Sequence, residues 1–160
     1  MTTMAGQIRN NEGTMATGVE IVIVEDNPND AELMLRVFRK HNLANQVVLL
    51  KDGAEALEFL SERDGCGFAA ANNTCRVILL DLKLPKVDGI EVLRRIKADE
   101  RTRTIPVVVL TSSTEQRDLQ DAYDLGVNSY VAKPIKFDEF AKVVADMGLY
   151  WLMLNKLPAR

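Results

Sequence analysis

Residues 76–85 read Arg-Val-Ile-Leu-Leu-Asp-Leu-Lys-Leu-Pro. Four apolar residues, two of them β-branched, run without a polar break and then stop at Asp81. A strand buried on both faces reads this way, because neither side of the pleat meets water. Four similar runs lie at other points in the chain: residues 19–24 (VEIVIV), 46–50 (QVVLL), 106–110 (PVVVL) and 127–131 (VNSYV).

Amphipathic segments separate these runs. Ala31, Met34, Leu35 and Phe38 fall at i, i+3, i+4 and i+7, as do Gly89, Val92, Leu93 and Ile96. Leu119, Ala122, Tyr123 and Gly126 repeat the spacing, and Phe140, Val143, Val144 and Met147 begin a stripe that continues to Trp151 and Leu154. Each set shares one helical face. Asn29 with Glu32, Asp52 with Glu55, and Ser113 with Gln116 read as helix starts with reciprocal caps. Gly126 stands where a helix would end in a left-handed residue, and Pro158 follows the last helix. Five strands, each followed by a helix, predict a parallel α/β sheet with right-handed crossovers. Residues 1–18 carry little apolar periodicity and read as a flexible tail. The folded domain is expected over residues 19–155, with a short tail at 156–160. Residues 61–75, rich in Gly, Ala and Asn, read as a surface loop holding both thiols, Cys66 and Cys75.

Composition removes several classes of function. The chain has 160 residues and a net charge of −3, so it lacks the overall basic field that nucleic acid binding needs. No apolar run reaches the roughly 18 residues of a membrane span, and the polar start does not resemble a secretory signal. A cytoplasmic location is the expectation. Two cysteines are too few for a disulfide framework or a structural zinc site. The one histidine, His41, argues against multi-histidine metal sites and a Ser-His-Asp hydrolase, and reads as a surface residue at a helix end.

What remains is the placement of the polar residues. The first strand ends in Glu25-Asp26, the third in Asp81, the fourth in Thr111-Ser112-Ser113, and the fifth runs into Lys133-Pro134. In an open parallel sheet these ends share one rim, where ligands bind. Singly, each residue has an ordinary reading as a turn, a helix cap or a strand end. Jointly, three carboxylates, a hydroxyl and an ammonium converge. Clustered carboxylates repel unless a cation joins them, and hard oxygen donors suit Mg²⁺ with phosphate. A lysine supplies a point charge for phosphate oxygens, and a threonine hydroxyl can donate to another. One carboxylate is then free to attack phosphorus and form an acyl phosphate. Asp81, alone at the end of the central strand, is the best nucleophile.

Val24-Glu25-Asp26-Asn27-Pro28, Leu80-Asp81-Leu82-Lys83-Leu84-Pro85 with Asp88-Gly89, Leu110-Thr111-Ser112 and Tyr130-Val131-Ala132-Lys133-Pro134 together resemble the receiver domain of two-component response regulators. The subgroup most resembled is that of single-domain regulators paired with bacterial phytochrome histidine kinases. The resemblance implies a flavodoxin-like fold: a five-stranded parallel sheet in the order 2-1-3-4-5 with helices on both faces. It implies that Asp81 is the phosphoacceptor and that Asp26 and Asp81 ligate Mg²⁺. The Lys83 backbone carbonyl would be a further ligand, and Glu25 would orient a metal-bound water. Lys133 would hold the phosphoryl group, followed by a cis bond to Pro134. Thr111 and Tyr130 would form the switch. Lys83 departs from many receivers, which carry a smaller or neutral residue there, and bears on the lifetime of the acyl phosphate.

The resemblance also implies a partner, a sensor histidine kinase, and no separate substrate, so the protein is not expected to act as an enzyme in its own right. With no output domain apparent after the last helix, the signal is expected to leave by protein contact. The sequence Leu149-Tyr150-Trp151-Leu152-Met153-Leu154 is apolar on nearly all faces and needs a second cover. That cover is either the body of its own domain or a partner; the resemblance favours a homodimer through Tyr150, Trp151 and Leu154. Three other readings fit the residues less well. A dehalogenase-like phosphatase would want an Asp where Lys83 stands. A nucleotide-binding flavodoxin-like protein would want a Gly-rich loop after the first strand. A pseudo-receiver, a binding module without phosphorylation, would lack one of the four key groups.

Overall fold

The computed structural model describes residues 6–7, 19–43, 46–61 and 75–158. In chain order the elements are β1 (Gly6–Gln7), β2 (Ile21–Val24), α1 (Pro28–Lys40), β3 (Val47–Leu50), α2 (Gly53–Ser61), β4 (Val77–Leu80), α3 (Gly89–Ala98), β5 (Val107–Thr111), α4 (Gln116–Asp124), β6 (Ser129–Ala132) and α5 (Phe137–Gly148). A π-helical segment, Leu149–Leu154, continues directly from α5. The sheet order is β1-β3-β2-β4-β5-β6. Its five long strands are parallel and follow the expected order, second, first, third, fourth, fifth. To these the structure adds β1, which pairs antiparallel with β3 through Gly6 and Leu49. The rest of residues 1–18 lies outside the described residues, as do residues 62–74 and with them Cys66.

Strand alternation sorts the core into two layers. Val22, Val24, Ile78, Leu80, Val107 and Val109 face α2, α3 and α4. Ile21, Ile23, Val77, Leu79, Val108 and Leu110 face α1 and α5. Every residue of β2, β4 and β5 is buried, whereas β6 at the sheet edge is half-buried. That explains the unbroken apolar runs inside the sheet and the polar Ser129 at its edge. Among the described residues no helix is long and apolar enough to cross a membrane.

Several local expectations need correcting. The cap of α1 is Asn27, whose side chain accepts from the amides of Asn29 and Asp30, with Pro28 in the first helical position. Proline lacks an amide to leave unpaired there, so the cap moves two residues ahead of Asn29. At α2 the expectation holds in outline: Asp52 accepts from the Glu55 amide at 2.8 Å, and Glu55 reaches back to the Lys51 amide at 2.7 Å. Ser113 does not cap α4, which starts after Glu115; its hydroxyl turns to Asp118 instead. Gly126 has the expected left-handed backbone, φ +91°. Tyr123, placed on the core stripe of α4, is 52% exposed, and only Ala122 of that helix is buried. Cys75 is buried with its Sγ 3.5 Å from the Val77 carbonyl, so it belongs to the core and not to a surface loop.

The largest correction concerns the end of α5. The i→i+5 winding after Gly148 shifts the stripe by one residue, so Leu152 is buried while Leu154 is 60% exposed. Trp151 is half-buried against the α1/α5 layer. Gly148 itself does not bend the helix, which continues with helical backbone (φ −60°, ψ −46°). It is a contact point: a Cβ there would lie 2.9 Å from Phe38 Cε1 and 2.7 Å from Leu43 Cδ1. The absence of a side chain lets α5 approach α1.

Candidate functional site

Register builds the rim. Val24 sits beside Leu80 and Leu50, so the residues that follow, Glu25 and Asp81, emerge side by side. The Asp81 amide donates to the Val24 carbonyl at 3.0 Å, and the Lys133 amide to the Thr111 carbonyl at 2.8 Å. The loop after Asp81 then folds tightly back. The Gly89 amide donates to the Leu82 carbonyl, and a Cβ on Gly89 would stand 2.3 Å from the Asp81 carbonyl oxygen. Glycine is required there by space alone. Asp88 caps α3 by accepting from the Ile90 amide at 2.7 Å.

The side chains meet as the sequence predicts. Lys133 Nζ lies 2.7 Å from Asp81 Oδ2, 2.6 Å from Glu25 Oε2 and 3.0 Å from Asp30 Oδ2. The Thr111 hydroxyl, fully buried, donates to Asp81 Oδ1 at 2.8 Å, and the Lys83 amide donates to the same oxygen at 3.1 Å. Both Asp81 oxygens therefore have donors, as a buried carboxylate requires. Asp26 stands exposed at the mouth. Glu25, Asp26 and Asp81 each offer an oxygen, all within 4.8 Å of one another. Three hard oxygen donors, with one of the carboxylates open to solvent, fit a divalent cation.

The electrostatics follow from burial. Removal from water pushes the Glu25 carboxyl up; the Lys133 bond opposes this, the Asp81 charge adds to it, and the result is about 7. Burial alone would lower the Lys133 ammonium. Its bonds to Asp81 and Glu25 outweigh that and hold it well above the ordinary lysine range. Lys133 is thus a fixed cation among three carboxylates.

Asp30 is the residue that sequence reasoning missed. It sits in the first turn of α1, where an acidic side chain reads simply as a partner of the helix dipole. Its signal was its place four residues after Asp26, in the first turn of the helix that leaves the same rim. One expectation fails: the bond between Lys133 and Pro134 is trans, as are all peptide bonds among the described residues. The trans form is the default for X–Pro by about 0.5–1 kcal/mol, and Lys133 reaches all three carboxylates with it. The Tyr130 hydroxyl donates to the Ser113 carbonyl at 3.1 Å, which ties β6 to the loop after Thr111. His41 lies at the exposed C-terminal end of α1, remote in role from the rim.

Comparison with known proteins assigns the family. Residues 21–145 match the response regulator receiver domain. The chain belongs to that family. It is 45% identical over 138 residues to the probable methanogenesis regulatory protein FilR2 of Methanothrix harundinacea, covering 86% of each chain. It is 37% identical to the response regulator Rcp1 of Synechocystis, covering 87% of this chain and 92% of that one. The phosphorylated cyanobacterial phytochrome response regulator RcpA superposes with a TM-score of 0.79 at 36% identity, over 89% of this chain and 99% of that one. The Mn²⁺-bound form of Rcp1 superposes with a TM-score of 0.77, also at 36% identity, over 88% of this chain and 99% of that one. The receiver is thus homologous to phytochrome response regulators, and a relative carries a divalent cation.

Proposed function

We propose that this receiver accepts a phosphoryl group on Asp81 from a sensor histidine kinase, in a Mg²⁺-dependent reaction, and signals through protein contacts. The observation that carries the reading is the buried Asp81 carboxylate held by Thr111, Lys133 and the Lys83 amide at the meeting of four strand ends. An Asp81 oxygen attacks phosphorus as the N–P bond of the kinase's phosphohistidine breaks, its electron pair staying on the imidazole. Lys133 neutralises the growing negative charge, and the Thr111 hydroxyl donates to it. Asp26, Asp81 and the Lys83 carbonyl would hold Mg²⁺, with Glu25 acting through water. The ion's contribution is to offset the charge of the phosphoryl oxygens.

Once phosphorylated, Asp81 draws the Thr111 hydroxyl to a new acceptor. Ser113 follows, because its amide bonds to Thr111 Oγ1 at 3.3 Å, and Tyr130 is attached to the Ser113 carbonyl. That chain of contacts supports Thr111 and Tyr130 as the switch. A phytochrome-type kinase in the cytoplasm is the partner that the likeness to RcpA favours. Exposed Tyr150 and Leu154, beside half-buried Trp151, support a homodimer through the end of α5.

The experiment is incubation with acetyl phosphate, with and without Mg²⁺, read by intact mass. Gain of one phosphoryl group only with the ion supports the reading. No gain under either condition favours a phosphorylation-independent binding module.

A further inference from the structure

The loop that follows the phosphorylation site is held by an element that supplies no side chain to the rim. Its two ends are fixed where β4 gives way to Asp81 and where Gly89 closes on the Asp81 carbonyl. Its apex, Pro85-Lys86-Val87, leans on the first turn of α2. The Gly53 amide donates to the Pro85 carbonyl at 3.3 Å. Gly53 is buried, and a Cβ there would stand 1.8 Å from the Val87 carbonyl oxygen and 2.6 Å from its carbon. No side chain fits between the two backbones. Lys86 takes a left-handed backbone, φ +67°, which a residue with a Cβ adopts at a cost. Its Nζ lies 3.2 Å from Asp52 Oδ2. Asp52 is buried, and its other oxygen caps α2 through the Glu55 amide. The side chain of Val87 packs against the same core layer as Leu82.

We propose that the first turn of α2, through Gly53 and Asp52, is a positioning element for the divalent cation: it fixes the loop that carries Lys83, and so sets the affinity of the rim for the ion. The proposal rests on the reading that Asp26, Asp81 and the Lys83 carbonyl hold Mg²⁺. Asp26 and Asp81 are side-chain donors, and a change of rotamer can adjust them. The Lys83 donor is backbone, so its place is the place of the loop. Lys83 stands two residues before Pro85, and few soft torsions separate it from the apex. A shift of the apex is therefore felt at Lys83. Metal affinity falls steeply when the groups that orient a ligand are disturbed, even where they touch no ion themselves. Coupling of this kind is reciprocal. Whatever parts α2 from the loop weakens ion binding, and a loaded site holds α2 to the loop. The start of α2 is thus a handle on the rim from outside it.

The test titrates wild type, Gly53→Ala and Gly126→Ala with Mn²⁺, reading the free ion by electron paramagnetic resonance. Gly53→Ala is expected to weaken binding about tenfold, the scale of disturbing a group that orients a ligand. Gly126→Ala is strained by its left-handed backbone, yet nothing lies within 4 Å of the added carbon. It should lose stability and bind Mn²⁺ as wild type does. A second measurement needs no variant: hydrogen exchange at the Gly53 amide of wild type, by nuclear magnetic resonance, with and without saturating Mg²⁺. The ion is expected to slow that exchange about tenfold, the same coupling seen from the other side. A folded Gly53→Ala that binds Mn²⁺ like wild type overturns the proposal. So does an equal loss in Gly126→Ala, since general destabilisation would then account for both. If Gly53→Ala does not fold, exchange at the Gly53 amide decides, and a rate indifferent to Mg²⁺ overturns the proposal. Wild type that binds no Mn²⁺ at all overturns instead the reading of the ion's ligands.

Discussion

The rim around Asp81 and the end of α5 are opposites. At the rim, charged side chains are buried: Glu25 and Asp81 are 2% and 5% exposed. Each of the two is answered by Lys133, so the groups depend on one another. At the end of α5, apolar side chains are exposed, with Leu149, Tyr150, Met153 and Leu154 all at half or more. Polar atoms inside and apolar atoms outside both break the ordinary sorting of residues, and both point to work beyond folding. The difference is that the rim is answered within the molecule. A change there should spread to its neighbours, whereas a change at the end of α5 should stay local.

Substitutions can break this contrast, beginning with the most severe. Asp81→Asn should abolish phosphoryl gain altogether while keeping the fold; intact mass after acetyl phosphate treatment reads the first, circular dichroism the second. Lys133→Met should slow phosphorylation by about 10²–10³-fold, the scale of losing one preorganised charge from a reacting centre. It also leaves three carboxylates without their cation, so a near-normal rate would deny Lys133 its place in the ring. Gly89→Ala should destabilise the fold by about 1–3 kcal/mol in urea titration, because the Asp81 carbonyl must give way. An unchanged midpoint would mean that the loop can relax without disturbing the rim. Leu154→Glu should move stability by no more than about 0.5 kcal/mol. It should nevertheless remove self-association on light scattering. A dimeric mass that does not change would place the interface on another surface.

The sequence reveals the sheet and the rim for the same physical reason. Central strands are covered on both faces, so β2, β4 and β5 appear as continuous apolar runs. The first polar residue at the C-terminal end of each then marks the rim, and register brings Glu25, Asp81 and Thr111 together. Asp30 was less legible because its partner Lys133 is 103 residues away and its local context is an ordinary helix start. The ion pair between Lys83 and Asp118, 3.3 Å apart, was hidden likewise, since nothing in either segment shows that α4 approaches the loop after β4. The end of α5 misled in phase, not in character. A π-helical winding has no signature in an apolar run, so Leu152 took the inner position expected of Trp151, and Leu154 turned outward. The trans bond before Pro134 was beyond a reading of residue types, which fixes the order of the chain and not the isomer.

The central claim is that the rim exists to place a phosphoryl group on one particular carboxylate. Reduction with borohydride converts an aspartyl phosphate to homoserine, which peptide mapping by mass locates to the residue. After treatment with acetyl phosphate and Mg²⁺, the account predicts homoserine at position 81 and nowhere else. Homoserine at position 26 or 30, the one-carbon-longer alcohol of a reduced glutamyl phosphate at position 25, or phosphorylated protein that yields neither, would contradict it.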